Sequence, residues 1–124
     1  AGALLPAAWY IQAQRFRRWY YKQVMALFQE VDVILLPATP RSATPIGQKT
    51  MVVGGKEMLI RPNMGMYTQP ISFIGLPVVV VPVHTTGRMP IGVQIVAAPG
   101  REDICLRVAR VLETAGAVSA PIAH

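Results

Sequence analysis

Three serines and three lysines are the residues with which this sequence of 124 residues could perform nucleophilic catalysis, which needs a nucleophile beside a base. None of the serines lies in a glycine-rich turn that would expose a nucleophile, and none of the lysines lies in the apolar sequence typical of a reactive amine. The six residues are Ser42, Ser72, Ser119, Lys22, Lys49 and Lys56. We therefore predict no catalytic residue within this chain.

Metal and cofactor chemistry also finds no support in the sequence. Cys105 is the single cysteine, and His84 and His124 are the two histidines, which is too few for a zinc ligand set. We therefore predict no metal site and no cofactor. A lone cysteine cannot form an internal disulfide, so we expect a reducing compartment, the cytoplasm.

Three polar residues stand out within apolar stretches of the sequence. His84 follows a valine-rich segment near its end, where α/β folds often place sites, although a polar residue in a turn would look the same. Thr68 and Gln69 could face a cavity, or they could simply bond to the local backbone. The sequence leaves both interpretations open.

The composition is that of a protein with a packed core. Hydrophobic residues make up 52% of the chain and charged residues 15%, whereas about 25% charged residues is typical. This balance excludes intrinsic disorder and suggests that some apolar surface contacts other protein. The longest apolar run, residues 76–83, contains two prolines and falls far short of the roughly 20 residues that span a bilayer.

The chain is strongly basic, with a formal net charge of +6 and an isoelectric point near 10.1. Arg15, Arg18 and Lys22 are spaced three and four apart, so a helix would place them on one face. That face could bind phosphates, or it could be an ordinary solvated face, which we favour. Nucleic acid is therefore a disfavoured partner.

Hydrophobic periodicity predicts three helices, three strands and one hairpin. The helices span residues 6–30, 65–74 and 102–115, the strands 33–36, 78–83 and 91–96, and the hairpin 51–60 around Gly54-Gly55. Asn63 is expected to cap the short helix and Gly75 to end it, with Pro70 breaking or shifting its course. Asp103 and Arg107, four residues apart, are expected to pair on the last helix.

Each long helix carries one apolar stripe that is expected to be buried. The stripes are Trp9, Ala13, Phe16, Tyr20, Val24, Leu27 and Val31 in the first helix, and Ile104, Val108, Val111, Leu112 and Ala115 in the last.

The strands indicate a section of a helix-covered sheet. Residues 33–36 and 78–83 are almost entirely aliphatic, which predicts burial on both faces. A short connection with a turn at residues 85–88 makes the strands at 78–83 and 91–96 an antiparallel pair, and Gly92 suggests close approach by a neighbour. Three central strands are few for a sheet buried on both faces.

Several segments together resemble the C-terminal region of the amidase signature family, in the same order along the chain. Residues 68–77 read TQPISFIGLP and precede VVVVP, residues 89–94 read MPIGVQ, and residues 32–40 read DVILLPATP. Supporting positions are Tyr10, Ala13 and Arg17 in the first helix, and Glu102, Ala109 and Glu113 in the last. Ser72 stands where the family usually has Asn, and His84 where it usually has Gly, which resembles the branch of 1-carboxybiuret hydrolase-type amidohydrolases.

The resemblance implies an α/β fold, in which the chain forms the C-terminal portion of the mixed sheet of an amidase, covered by helices. It implies an amide hydrolase with a Ser–cis-Ser–Lys triad and no metal, in which the lysine supports a bridging serine that deprotonates the nucleophilic serine. No segment here matches the triad, so residues 1–124 are expected to be a C-terminal part of a single amidase domain that is inactive alone. Asn63, Tyr67, Thr68 and Gln69 are expected to form a substrate-binding wall.

The expected partners follow from the same resemblance. They are a small-molecule amide or urea-derivative substrate, the missing N-terminal part of the domain, and either a second copy of the protein or a small accessory subunit; no membrane is expected. Two alternatives stay open: a non-catalytic basic module that binds or supports another molecule, and one half of a split amidase.

Overall fold

The structure, a computed structural model, describes residues 4–84 and 87–120. Helices and strands are mixed along the chain, as expected of α/β material. In chain order they are α1 (Ala7–Leu27), β1 (Val33–Pro37), β2 (Thr50–Val53), β3 (Lys56–Leu59), α2 (Ile60–Asn63), α3 (Gln69–Ile74), β4 (Val78–Val83), β5 (Ile91–Ala97) and α4 (Glu102–Thr114). The predicted strands and long helices are confirmed with shifts of a few residues at their ends.

The main sheet has three strands in the order β1-β5-β4. Strand β5 is central and pairs antiparallel with both neighbours, with Ile95 opposite Leu35 on one side and Val79 on the other. The predicted antiparallel pairing of β4 and β5 is confirmed. The turn expected between these strands includes residues 85 and 86, which lie outside the described residues.

Helices α1 and α3 cover one face of the sheet. Val24, Ile71, Ile74, Leu76 and Val96 are buried together there. Helix α3 is short, but it places two of its six residues in this core. The packing fixes α1 and α3 side by side over the sheet.

Helix α4 covers the opposite face. Val81, Ile95, Ala97, Cys105 and Val118 form the buried cluster between this helix, the sheet and the segment that follows. Burying an aliphatic side chain of this size contributes about 1.5–3 kcal/mol, so the two clusters account for much of the cohesion of the three layers.

Two residues show that the helices do not seal the sheet. Leu35 and Val80 are each 53% exposed and lie on the two edge strands, on opposite faces. Helix α4 packs mainly against β4 and β5, which leaves about half of the Leu35 side chain on β1 uncovered. The prediction that both edge strands are buried on both faces is therefore wrong for this chain as it stands.

Residues 50–59 form the predicted hairpin as a separate two-stranded sheet. Gly54 and Gly55 occupy its two-residue turn with φ of 58° and 77°. Positive φ at both central residues is the geometry of the tight turns that match the twist of paired strands.

The short central helix differs from the prediction. Asn63 is the last residue of α2 and does not cap a helix beginning at residue 65. Helix α3 begins only at Gln69, with Thr68 at the N-cap position. Pro70 explains the late start, because proline is tolerated in the first turn, where its missing N–H costs no hydrogen bond. Gly75 ends the helix as predicted, with φ of 73°.

Helix α4 buries a somewhat different face from the one that the predicted apolar stripe would bury. Val111 is 66% exposed and Ala115 is exposed, whereas Cys105 is buried. Asp103 pairs with Arg101 at 3.2 Å rather than with Arg107, because Arg101 lies beside it at the start of the helix. The hydrogen bond that Arg101 donates lowers the pKa of Asp103 below its ordinary value.

Gly92 confirms the predicted close approach. A β-carbon at this position would lie 3.0 Å from both the Ala38 Cβ and the Val80 Cγ1. Its backbone φ is not positive, so the need for glycine comes from space and not from conformation.

Residues 7–19 of α1 include large apolar side chains that remain exposed. Trp9, Tyr10, Phe16 and Trp19 are each more than half exposed. The predicted stripe is therefore buried only toward the end of the helix, around Val24, where it reaches the sheet. Helix α3 reaches residues 7–19 at Phe16, whose ring centroid lies 6.3 Å from that of Phe73.

We predict that the isolated chain associates with itself at high concentration, because apolar surface of this extent is rarely left free in monomeric proteins. Static light scattering should show masses above 13.5 kDa that fall when Trp9 and Trp19 are both replaced by serine. Val52→Thr, at an exposed apolar position of the hairpin, is the matched control and should have little effect. A monodisperse monomer at millimolar concentration would contradict the prediction.

Candidate functional site

An open groove lies between α1, the connection after α2, and α3. Its volume is about 1040 Å³, enough for a small molecule. Its lining combines aromatic, amide and hydroxyl side chains from Phe16, Tyr20, Pro62, Asn63, Met66, Gln69, Pro70, Ser72 and Phe73.

One side of the groove is aromatic. The rings of Phe16 and Tyr20 stack with their centroids 6.3 Å apart, and Phe16 lies equally far from Phe73 at a tilt of 30°. Rings packed in this way are stiff and apolar, so they offer a flat surface to a planar ligand.

Of the four residues predicted to bind substrate, the structure places two in the lining of this groove. Asn63 and Gln69 line the groove. The Asn63 Nδ2 donates to the Leu59 carbonyl at 2.8 Å, and the Thr68 hydroxyl donates to the Gly65 carbonyl at 3.2 Å. Thr68 thus bonds to the local backbone, the second of its two interpretations.

Tyr67 contributes to the site through its backbone. Its side chain is 37% exposed, and its carbonyl oxygen accepts a hydrogen bond from the Gln94 Nε2 at 3.2 Å. The same nitrogen donates to the Pro37 carbonyl at 2.9 Å. Gln94, only 2% exposed, therefore ties the end of β1 and the loop before α3 to the central strand.

Sequence reasoning did not identify Gln94 as part of the site. A signal was present, because it is the one polar side chain in the otherwise apolar strand Ile91–Ala97. A buried polar group in a core strand is costly unless it is hydrogen-bonded. Such a residue therefore predicts partners, although not which ones.

The nucleophile candidates do not assemble into a catalytic group. Within residues 4–84 and 87–120, no hydrogen bond joins a serine to a lysine. Ser72 lines the groove without a base of this kind. His84 is exposed at the end of β4 and does not line the groove.

Cys105 is a buried structural thiol. Its Sγ lies 3.3 Å from the Ile95 carbonyl oxygen, and burial raises its pKa above the ordinary value. A thiol held in the protonated form is a poor nucleophile. Cys105 is therefore part of the core and not of a reactive site.

Metal-ligating clusters and membrane-spanning helices are both missing from the described residues. No three His, Cys, Asp or Glu side chains come together there in a way that could hold a metal ion. Nor does that part of the chain contain a helix long and apolar enough to cross a membrane.

Comparison with known proteins gives matches over most of the chain. The Amidase family model matches residues 2–106. The AtzE component of the 1-carboxybiuret hydrolase of Pseudomonas sp. strain ADP is 49% identical over 118 residues, covering 94% of this chain and 26% of that protein. A glutamyl-tRNA(Gln) amidotransferase subunit of Thermus thermophilus is 36% identical over 110 residues, covering 89% of this chain and 22% of that protein.

A solved structure extends the likeness to the fold. That structure is of a vestigial protein complex that bears on the evolutionary origins of an s-triazine catabolic enzyme. This chain superposes on it with a TM-score of 0.90 at 47% sequence identity. The match covers 98% of this chain and 27% of the other. The chain thus spans about a quarter of the length of the relatives it matches. With the family model matching residues 2–106, the chain belongs to the Amidase family.

Proposed function

We propose that this chain is the C-terminal part of an amidohydrolase that cleaves a carbon–nitrogen amide bond with a Ser–cis-Ser–Lys triad located outside these 124 residues. The observation that carries the proposal is the combination of family membership over residues 2–106 with a length about a quarter of that of the relatives. Leu35 and Val80, half exposed on the edge strands, support it, because further strands and helices would cover them.

In this proposal the chain supplies one wall of the substrate pocket. Asn63 and Gln69 line the groove, while Tyr67 and Thr68 bond to the backbone around the loop between them through the Tyr67 carbonyl and the Thr68 hydroxyl. The stacked rings of Phe16 and Tyr20 form the facing apolar side. Such a pocket orients a small planar amide through a few hydrogen bonds against an apolar surface.

The chemistry itself belongs to the triad outside this chain. The nucleophilic serine attacks the carbonyl carbon while the bridging serine, supported by the lysine, accepts its proton. The carbon–nitrogen bond breaks, the amine leaves with a proton, and water releases the acyl group as an acid. This chain contributes by positioning the carbonyl for attack, which can account for several powers of ten in rate.

The substrate class and partners follow the relatives. A relative at 49% identity belongs to a 1-carboxybiuret hydrolase, which favours a urea derivative as the substrate here. Its designation as one subunit of that enzyme, and a solved relative described as part of a protein complex, favour a small accessory protein or a second copy beside the N-terminal part. The buried thiol of Cys105 is compatible with a cytoplasmic, reducing compartment.

A hybrid enzyme tests the proposal. In this hybrid, the segment of the Pseudomonas 1-carboxybiuret hydrolase that matches this chain is replaced by the chain itself. We expect the isolated chain to hydrolyse no amide, and the hybrid to release ammonia from a biuret derivative with at least a hundredth of the relative's kcat/KM. Enzyme-like hydrolysis by the isolated chain, or a folded hybrid without activity, would contradict the proposal.

A further inference from the structure

The side chain of Gln69, which lines the groove, lies beside Gly65 in the turn before α3. A β-carbon at position 65 would lie 3.0 Å from the Gln69 Nε2, 3.2 Å from its Cγ and 3.3 Å from its Cδ. The end of the glutamine side chain therefore lies against the bare α-carbon of Gly65. Contacts at 3.0 Å are shorter than ordinary van der Waals separation, so alanine at position 65 would displace the carboxamide.

The reason for glycine at position 65 is this contact and not the backbone. Gly65 is absent from the glycines with positive φ, so its conformation is open to other residues. Its carbonyl accepts hydrogen bonds from the Thr68 N at 3.1 Å and the Gln69 N at 2.8 Å, and from the Thr68 hydroxyl at 3.2 Å. The backbone of this turn is thus fixed as far as the Gln69 amide nitrogen, while the Gln69 side chain is exposed at the groove.

A carboxamide in this position has a definite chemical preference. Its oxygen accepts one hydrogen bond and its NH₂ group donates, so it can pair side by side with a group that presents an adjacent C=O and N–H. Ureas, biurets and carbamoyl groups present that edge. A simple aliphatic chain beyond the scissile amide does not.

We infer that Gln69, whose side chain lines the groove beside Gly65, selects substrates that carry a urea or carbamoyl group next to the bond to be cleaved. The inference rests on the proposed function, since it assigns a role within that pocket. Phe16 on α1 and Phe73, one turn beyond Gln69 on α3, would receive the flat face of the same group. Gln69 binds and orients the substrate and takes no part in bond breaking.

The test compares a biuret derivative with an unbranched aliphatic amide of similar size in the hybrid enzyme. The measured quantity is kcat/KM for the biuret derivative divided by kcat/KM for the aliphatic amide. Gln69→Leu should lower this ratio about 10- to 100-fold, the effect of losing two hydrogen bonds. Gly65→Ala should lower the ratio in the same direction, because it displaces the same group. Gln23→Leu, at an exposed position of α1, is the matched control and should leave the ratio unchanged. An unchanged ratio in Gln69→Leu would overturn the inference.

A second measurement needs no activity and separates this inference from the proposed function. In the ¹⁵N-labelled isolated chain, the side-chain NH₂ signal of Gln69 should shift on titration with millimolar biuret but not with hexanol, which has no adjacent C=O and N–H. Gly65→Ala should abolish the shift. An inactive hybrid together with this shift would count against the proposed function and support the role of Gln69, whereas absence of the shift would overturn that role.

Discussion

Replacing Gln94 with leucine should lower the free energy of unfolding of this protein by about 2–4 kcal/mol, the sum expected for two buried hydrogen bonds whose carbonyl partners lose their donor. The Nε2 of Gln94 donates to the Pro37 carbonyl at 2.9 Å and the Tyr67 carbonyl at 3.2 Å. Leucine has a similar size, so the loss reflects the hydrogen bonds and not a cavity. Urea denaturation measures the change.

Gln94→Glu separates the hydrogen bonds from the shape of the side chain. A carboxylate has no proton to donate and would face two carbonyl oxygens in a buried position, which raises the pKa of the introduced group. A raised pKa in the folded state means that the folded protein binds more protons than the unfolded one. The stability of this variant relative to the unmodified protein should therefore fall as the pH rises from 4 to 7.

Gln23→Leu is again the control, because Gln23 is exposed on α1 and such changes usually stay within about 0.5 kcal/mol. A Gln94→Leu variant as stable as this control would show that the two hydrogen bonds do not hold the loop to the sheet. It would also remove the physical basis for a fixed polar wall at Tyr67 and Thr68.

The second large effect concerns the serines of this chain. In an active hybrid, Ser42→Ala, Ser72→Ala and Ser119→Ala should each cost less than about tenfold in kcat, whereas loss of a nucleophilic serine costs about 10⁴–10⁶-fold. Ser72 is the informative case, because it lines the groove and its loss should act on KM more than on kcat. A loss of 10⁴-fold at any of the three would place the nucleophile in this chain.

Local patterns in the sequence predicted most of the fold. The aliphatic run of β4 and the two-glycine turn at Gly54 were confirmed because they depend on neighbouring residues alone. Gly75 ended its helix as predicted for the same reason. The start of α3 was wrong because the sequence could not show whether the chain before Pro70 forms one helix or two.

The interior faces of the long helices were harder to predict. Val111 belongs to the apolar stripe of α4 but is exposed, and Cys105 is buried in its place. The exposed first half of α1 likewise carries Trp9 and Phe16. Which apolar residues are buried depends on the elements packed against a helix, and those lie far away in sequence.

The candidate site was predicted in part. Asn63 and Gln69 were expected at a substrate-binding wall and line the groove, although their contact with a substrate stays a prediction. Gln94 and the contact between Gly65 and Gln69 were not found from the sequence. Both depend on distances between atoms that come close to one another only in the folded chain.

The position of the reactive serine is the point on which the proposed function depends, and covalent labelling tests it most directly. The active hybrid would be treated with a fluorophosphonate that reacts with nucleophilic serines, digested and analysed by mass spectrometry. We predict a single labelled serine in the part supplied by the Pseudomonas relative. A label on Ser42, Ser72 or Ser119 would contradict the proposal that this chain forms the substrate wall and not the catalytic centre.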